Sequence, residues 1–480
     1  MKVISNALLN ATRSMVGLAI GVATTIIVAR TLGPDSYGGY SYLNWLTLTL
    51  TVLLGLGFPM ALVKLVSEAR GRSSQPHVRG LLRVALWRAG GASVAAIAAI
   101  IVVALTLPLP FKSLHLVLAA LTVIPSVLAA CYGSAINGLE AYGPTTRVSI
   151  VVAVLQFGLS LIVLALGGRV GALVSVWVIG AAVSLVWLRS IARRLGGDGS
   201  SPAPPEMRAG MVRYARDMVP IILLDLVVWK RSELFFLERF WDMRTVGLYS
   251  VAFGIAEKAM RLPQSLYGIL TPTFSNLSAA RDGATVELLF QTATRLVGII
   301  IIPIGLIAAI VAQPLVQIVY GPAYAAAAGP FAVLILFNVV GAMTGVAVMA
   351  LYGMGEQRVV LMKDAAGAAV NLLLNLTLTS AWGLWGAVVA NSAAQLVSCI
   401  ILWCQVSRKF DLMPLSGMLL RVLVPSVVAA AAARLLVNIV PGAVGLVSGL
   451  LLAGAVYGGG VLLTGALGRQ DWRALAVKSV

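Results

Sequence analysis

The sequence predicts an all-α polytopic membrane protein with about 14 transmembrane helices: two six-helix lobes followed by two further C-terminal helices. Three observations lead to this fold class, namely composition, recurrent apolar stretches and an internal repeat. Of the 480 residues, 60% are hydrophobic and 11% are charged, and the mean hydropathy is +0.97. Apolar stretches of about 20 residues, the length that crosses roughly 30 Å of hydrocarbon as a helix, recur along the whole chain.

The predicted spans alternate with short loops, and their even number returns both termini to one side of the membrane. They cover approximately residues 12–29, 40–63, 84–107, 114–137, 148–166, 171–188, 218–239, 246–273, 292–312, 328–351, 364–381, 384–405, 418–438 and 443–466. Lysine and arginine crowd the loops after spans 2, 6 and 12 and the segment after span 14, which predicts that these loops and both termini are cytoplasmic. We expect a multi-pass protein of the cell inner (cytoplasmic) membrane.

The net charge of +18 therefore reflects membrane topology, and no nucleic-acid partner is expected. Four regions follow from the loops: an N-terminal lobe at 1–188, a cytoplasmic linker at 189–216, a C-terminal lobe at 217–410 and two additional spans at 411–480. The linker contains GGDGSSPAPPE, and a run of Gly, Ser and Pro is typical of a non-helical connection.

An internal repeat supports the division into lobes. RTLGPDSYGGYS and RFWDMRTVGLYS share four identities at a constant offset, as in Arg30 and Arg239, and a second set relates Gly168 to Gly383 near the last span of each lobe. Because each repeat has six spans, the lobes share one orientation and are related by a pseudo-two-fold axis along the membrane normal. Transporters built in this way bind substrate near the midplane between the repeats and alternate access by rocking one repeat against the other.

Spans 7 and 8 carry charges close to their middles, which is expensive in hydrocarbon and normally indicates a wet cavity or mutual pairing. The charged residues are Asp225, Lys230, Arg231 and Glu233 in span 7, and Glu257, Lys258 and Arg261 in span 8. These positions predict a central, mildly cationic cavity.

The chain also resembles the polysaccharide transporter (Wzx-type oligosaccharide flippase) family, within the superfamily of multidrug, oligosaccharidyl-lipid and polysaccharide exporters. The resembling segments are VARTLGPDSYGGYSYLNWL, GLGFPMALVKLVSEARG, TVGLYSVAFGIAEKAMRLPQSLYGILTPTFSNLSAA, GGRVGALVSVWVIGAA and WGLWGAVVANSAAQ. The resemblance implies movement of an undecaprenyl-pyrophosphate-linked oligosaccharide to the outer leaflet. It also implies that the last two spans are the pair that some members add.

If the substrate carries a pyrophosphate, the cations of the predicted cavity are its candidate ligands, since guanidinium groups match phosphate oxygens. The candidates are Lys258, Arg261, Lys230 and Arg231, with Glu257, Glu233 and Asp225 in the same cavity. The alternative is that these charges only pair with one another. Asn44 and Trp45 of the first lobe are candidates for binding sugar by hydrogen bonding and stacking, with core packing as the alternative.

A coupling-ion site is a further hypothesis. Asn371, Asn375 and Asn391 would supply amide oxygens, and Asp225 or Glu233 a carboxylate, which are the oxygen ligands that a hard cation prefers. The alternative is that the asparagines only join neighbouring helices by hydrogen bonds.

Two prolines are predicted to bend the helices. Pro59 in span 2 and Pro263 in span 8 occupy roughly equivalent places in the two lobes, and we expect them to kink their helices and act as hinges.

Rival functions remain open: a multidrug/cation antiporter of the same superfamily, a lipid II flippase or a polytopic glycan-processing enzyme. No nucleophile elbow, phosphate loop or metal-ligand spacing is found in the sequence, so we expect no enzyme activity, no cofactor and no metal. The expected partners are a lipid-linked oligosaccharide, membrane lipids and glycan polymerase or assembly proteins, and we expect a monomer.

Overall fold

The computed structural model describes residues 2–71, 78–106, 113–195, 203–229, 231–259, 261–280 and 283–466, and within these ranges the chain is helical and contains no strand. Helices satisfy every interior backbone group locally, which is what an apolar chain in hydrocarbon requires. The chain forms two units, Met1–Ser232 and Glu233–Val480.

The first unit contains the helices of predicted spans 1 to 6 and the first part of span 7. They are α1 (Lys2–Leu54), α2 (Phe58–Gly71), α3 (Val78–Thr106), α4 (Ser113–Gly138), α5 (Tyr142–Ala165), α6 (Val170–Leu195) and α7 (Pro205–Trp229). Within α1 the chain bends at Gly33, whose φ of 72° is left-handed, so α1 holds the first predicted span and most of the second.

The second unit contains the remaining helices. They are α8 (Glu233–Phe240), α9 (Met243–Ala259), α10 (Arg261–Ala279), α11 (Gly283–Ile310), α12 (Ala312–Tyr320), a 3₁₀ turn (Pro322–Ala327), α13 (Ala328–Gly353), α14 (Gln357–Leu374), a π-helical turn (Asn375–Thr379), α15 (Ser380–Trp382), α16 (Leu384–Val406), α17 (Met413–Ile439) and α18 (Gly442–Thr464).

Among the described residues, 11 helical segments are long and apolar enough to cross a membrane. One of them, Met15–Leu54, carries two predicted spans because of the bend in α1. Predicted spans 7 and 8 are absent from that set: both are charged, span 7 is divided between α7 and α8, and the described residues of span 8 lie in α9 and α10. With those two, the helices correspond to the 14 predicted spans, and the predicted all-α membrane fold is confirmed.

The core of the first unit joins α2, α3 and α4 to α7. Helix α7 packs closely on α2 because Gly57 has no side chain: a β-carbon there would collide with the carbonyl oxygen of Ala215. The predicted start of the C-terminal lobe, at 217, lies inside α7, and all of α7 packs in the first unit. The division into four regions stays a prediction.

In the second unit, α13 packs against α9, α10, α11 and α16, and the last two helices pack on α11. Ala429 and Ala433 of α17 form a small apolar cluster with Leu446 and Ala453 of α18, where small residues permit close approach of the helices. Tyr457 of α18 donates a hydrogen bond to a backbone carbonyl of α11. The two added helices are therefore an integral part of the second unit.

Pro59 does not kink a continuous helix, which corrects the expectation for that residue, because residues 55–57 separate α1 from α2. Pro59 lies in the first turn of α2, where a missing amide hydrogen leaves no intrahelical bond unmade. Pro263 is the third residue of α10, and because residue 260 lies outside the described residues, a kink at Pro263 stays a prediction. Between α1 and α2 the interruption is made by Leu56 and Gly57, with φ of 49° and 73°. Whether either proline acts as a hinge stays a prediction.

Candidate functional site

Span 7 is interrupted between α7 and α8, at the point where charged residues occur in the sequence. Arg231 has a φ of 61°, a left-handed conformation that is costly for a residue with a side chain. Glu233 then begins α8, with its carboxylate in the first turn, where the helix dipole favours negative charge. The interruption therefore sets Glu233 at the start of a short helix inside a predicted span.

The Glu233 carboxylate lies in a buried set of amide donors. Oε1 of Glu233 accepts hydrogen bonds from Nδ2 of Asn371 on α14, at 2.8 Å, and from Nδ2 of Asn391 on α16, at 2.9 Å. Glu233 and Asn371 are 0% exposed and Asn391 is 2% exposed. Three helices are thus joined at one carboxylate oxygen.

The hydrogen bonds continue along α14 and α16 in steps of four residues. Asn375 donates to Oδ1 of Asn371 at 3.1 Å and accepts from Thr379 Oγ1 at 2.8 Å. On α16, Gln395 donates to Oδ1 of Asn391 at 2.7 Å. Residues four apart share a helix face, so each polar row follows from the sequence spacing. We call these residues, with Glu233, the Glu233 network.

A second contact holds α8 parallel to this row. The indole Nε1 of Trp241 donates to the backbone carbonyl of Thr379 at 2.7 Å. Trp241 and Thr379 are 138 residues apart, as are Glu233 and Asn371, so the two segments run in the same direction. Thr379 ends the π-helical turn, a local widening that recurs at functional sites in helices. Gly383 has no side chain, so the Trp241 ring can pack directly on its backbone.

The other carboxylate oxygen is the chemically notable atom. Oε2 of Glu233 is buried and makes no hydrogen bond among the described residues, although the Tyr249 hydroxyl also lies near the carboxylate. Ser392 Oγ and Gln395 Oε1, both on α16, are likewise buried with no hydrogen-bond partner among the described residues. Asn371 and Asn391 both turn their amide nitrogens to Glu233, as expected if the carboxylate is ionised, since a charged oxygen accepts hydrogen bonds more strongly than an amide oxygen.

The structure thus brings Glu233 together with Asn371, Asn375 and Asn391, four residues that sequence analysis singled out. Asp225 is exposed on α7 in the first unit, and its part in an ion site stays a prediction.

The remaining candidates are placed separately. Glu257 and Lys258 are half-buried in the last turn of α9, and Arg231 is half-buried in its turn. Asn44 and Trp45 are half-buried in α1, with the Trp45 ring centroid 5.5 Å from that of Tyr42. Arg261 begins α10, but its side chain and all of Lys230 lie outside the described residues.

Sequence reasoning missed Thr379 and Gln395, although their spacing of four from the asparagines was a usable signal. It also missed Lys363 of α14, which is 4% exposed and ion-paired with Asp364. A buried lysine inside an apolar helix is costly unless it is paired, so this pair is a second polar feature of the same helix.

Comparison with known families and structures decides what kind of protein this is. Residues 27–329, well over half of the chain, match the family model described as "Polysaccharide biosynthesis protein". The chain belongs to the polysaccharide biosynthesis protein family. A second model, described as "Lipid II flippase MurJ", matches residues 252–453. The predicted resemblance is confirmed, and this polysaccharide biosynthesis protein is a membrane flippase or transporter of the multidrug, oligosaccharidyl-lipid and polysaccharide exporter superfamily.

Solved structures show the same fold. The chain is similar to the lipid II flippase MurJ in an inward closed conformation, with 14% identity and a TM-score of 0.74 over 98% of this chain and 100% of that one. It is also similar to an inward-facing multidrug resistance MATE family transporter, with 15% identity and a TM-score of 0.62 over 84% of this chain and 98% of that one.

A superfamily transporter from Pyrococcus furiosus is similar as well, with 15% identity and a TM-score of 0.58 over 84% of this chain and 95% of that one. No curated protein matches the sequence.

Proposed function

We propose that this protein moves an undecaprenyl-pyrophosphate-linked oligosaccharide across the cytoplasmic membrane for polysaccharide biosynthesis, by alternating access of two lobes. The observation that carries the proposal is the match of residues 27–329 to the polysaccharide biosynthesis family. The charges of spans 7 and 8 support an anionic substrate, since cations outnumber acids there.

A lipid II flippase is the second candidate. The MurJ model matches residues 252–453, and the MurJ structure covers 98% of the chain, against 84% for the MATE transporter. Lipid II and a lipid-linked oligosaccharide share the polyprenyl pyrophosphate and differ in the sugar. A multidrug/cation antiporter has less support, because neither matching family model describes drug export.

We assign the pyrophosphate to the cations of spans 7 and 8, with Lys258 and Arg261 as the primary ligands and Lys230 and Arg231 as secondary ones. Arginine binds two phosphate oxygens at once and lysine acts as a point charge, so together they compensate the two charges of a pyrophosphate diester. The sugar is assigned to Asn44 and Trp45 through hydrogen bonds and stacking. These contacts would form in the cavity predicted from the repeat.

The Glu233 network is proposed to hold the coupling ion. Its buried carboxylate has one oxygen saturated by Asn371 and Asn391, and the other makes no hydrogen bond among the described residues. A proton or one small cation at that oxygen would neutralise the carboxylate inside a low-dielectric helix bundle. Because α8, α14 and α16 meet there, the ion would change how firmly these helices are joined.

Complementation tests the substrate. The chain would be expressed in cells that lack their oligosaccharide flippase and, separately, in cells depleted of their lipid II flippase. Restored surface polysaccharide in the first strain and no rescue of the second is the expected result. Rescue of the second strain alone would replace the proposal with lipid II transport, and rescue of neither, at normal protein levels, would contradict both.

Substitution tests the phosphate ligands. Lys258→Ala and Arg261→Ala are each expected to abolish export while the protein still accumulates, because the pyrophosphate loses its compensating charge. Arg244→Ala is the matched control, since Arg244 is an exposed cation in the first turn of α9. Export that survives both cavity substitutions would remove these residues from the site.

The orientation of the protein in the membrane and its partners are proposals as well. From the lysine and arginine distribution we propose that both termini lie in the cytoplasm, and the protein would act as a monomer beside glycan polymerase and assembly proteins.

A further inference from the structure

A cavity of about 860 Å³ lies between the N-terminal halves of α3 and α7, entirely within the first unit. It is lined by Arg83, Val84, Trp87, Arg88, Pro205, Arg208, Ala209, Val212, Arg213 and Arg216. Five of these are arginines, and none of the lining residues that the structure describes is acidic. This arginine pocket is separate from the Glu233 network, which lies in the second unit.

Helix periodicity explains why the arginines converge. On α7, the lining residues from Arg208 to Arg216 are related by steps of three and four, which places them on one face. On α3, Arg83 and Trp87 are four apart and also share a face. Two helix faces that each combine cationic and apolar residues thus form the two walls of the pocket.

Close packing holds the two walls together. A β-carbon at Gly80 of α3 would collide with the backbone of Ala203, just before α7, so only glycine permits this approach. The Lys64 ammonium of α2 lies 4.4 Å from the centroid of the Tyr214 ring on α7, which adds a cation–π contact. The packing of the first unit therefore holds cationic side chains close together, although their charges repel one another.

Acidic neighbours compensate this charge only weakly. Arg216 pairs with Asp217 at 3.3 Å, but the two side chains are 76% and 54% exposed, and an exposed ion pair contributes little. Glu206 lies in the first turn of α7 and does not line the pocket. The first turn itself, at Pro205, adds the positive end of the α7 dipole.

The pocket lies at the membrane boundary. Both helices begin there on the side that the basic loops predict to be cytoplasmic, and α3 crosses the membrane from this point. The Trp87 side chain is 80% exposed beside Arg88, and tryptophan next to basic residues is typical of the headgroup level. The pocket therefore faces a region rich in lipid phosphates.

We propose that the arginine pocket binds a lipid headgroup that carries two phosphates, with guanidinium groups on the phosphate oxygens and Trp87 against the attached chain. Two lipids have this chemistry: a polyprenyl pyrophosphate, as on a substrate before it enters the transporter, and cardiolipin. The proposal concerns binding at the cytoplasmic face and stands whatever substrate is transported.

The test is native mass spectrometry of the purified protein in detergent, titrated with undecaprenyl pyrophosphate, cardiolipin, phosphatidylcholine or inorganic pyrophosphate. The pocket variant carries Arg208→Gln, Arg213→Gln and Arg216→Gln. The control variant carries Arg189→Gln, Arg193→Gln and Arg194→Gln, which remove three arginines of α6 that lie outside the pocket.

We expect at least one diphosphate lipid to bind in preference to phosphatidylcholine. Its affinity should fall roughly 100-fold in the pocket variant, the scale set by three basic residues acting on lipid phosphate, and stay unchanged in the control. If only undecaprenyl pyrophosphate binds, the ligand of the pocket is a substrate lipid. If only cardiolipin binds, the ligand is a phospholipid. Each result supports the site.

Equal lipid binding by pocket and control variants would overturn the proposal, as would binding of inorganic pyrophosphate without either lipid. If the α7 substitutions prevent folding, Arg83→Gln with Arg88→Gln weakens the pocket from the α3 wall and provides the same readout. Unchanged lipid affinity in that second variant would equally overturn the proposal.

Discussion

Replacing Glu233 separates the structural role of its carboxylate from its chemical role. Both hydrogen bonds that it accepts end on Oε1, from Asn371 at 2.8 Å and Asn391 at 2.9 Å. In Glu233→Gln the amide oxygen can still accept both, so only the charge and the Oε2 acceptor are lost. In Glu233→Leu both donors lose their acceptor while they remain buried.

The magnitudes follow from these contacts. A buried donor without a partner costs about 1–3 kcal/mol, which gives roughly 2–6 kcal/mol for the two asparagines in Glu233→Leu. The measured contribution of a hydrogen bond between membrane helices averages about 0.6 kcal/mol. We therefore expect the destabilisation to lie in the lower part of that range, at about 2–3 kcal/mol. Glu233→Gln should change the free energy of unfolding by less than about 1 kcal/mol, because both bonds persist.

Two assays would be combined on the wild-type chain and both variants. Thermal unfolding in detergent, with sodium or potassium and at two pH values, measures stability and its dependence on the ion. Surface polysaccharide in a strain without its own flippase measures export. We expect Glu233→Gln to unfold near the wild-type temperature, to lose ion-dependent stabilisation and to lose export, and Glu233→Leu to be clearly less stable.

Export and ion dependence that both persist in Glu233→Gln, at matched protein levels, would refute the ion-site assignment. Equal stability of the leucine and glutamine variants would refute the hydrogen-bond reasoning itself, since only the leucine variant leaves the amide donors without an acceptor.

Three further substitutions probe the packing around the same helices, each read by thermal unfolding. Gly367→Leu should destabilise the second unit and weaken export, because a side chain there collides with Ser398 and separates α14 from α16. Lys363→Met leaves the partly buried Asp364 without its partner and should cost about 3 kcal/mol. Trp241→Phe keeps an aromatic ring but loses the indole hydrogen bond to the π-helical turn, a loss of about 1 kcal/mol.

Matched controls exist in the same chain. A β-carbon at Gly158 of α5 would meet no atom of a neighbouring helix within 4 Å, so Gly158→Leu should be tolerated better than Gly367→Leu. Lys409 pairs with Glu356 at the surface, so Lys409→Met should cost less than about 1 kcal/mol. A glycine or lysine variant no less stable than its control would show that the corresponding contact does not stabilise the unit.

Membrane spans were readable from the sequence because a helix in hydrocarbon must be apolar over a fixed length. That single requirement determined the fold class and the boundaries of most spans. The family resemblance depended instead on particular sequence segments, and the family match confirmed it. The four-residue spacing of Asn371 and Asn375 likewise places them on one helix face without any knowledge of the tertiary structure. Local chemistry alone decides such features.

Tertiary structure decided which polar residues meet. Nothing in the sequence identifies Glu233 as the partner of the asparagines, because that contact depends on the interruption at Arg231 and the parallel packing of α8 on α14. In the sequence, the arginines of the pocket only indicate the cytoplasmic side of the membrane. The close approach of α7 to α3 at Gly80 gathers them around one cavity. Contacts between distant segments depend on packing, which a hydropathy pattern does not specify.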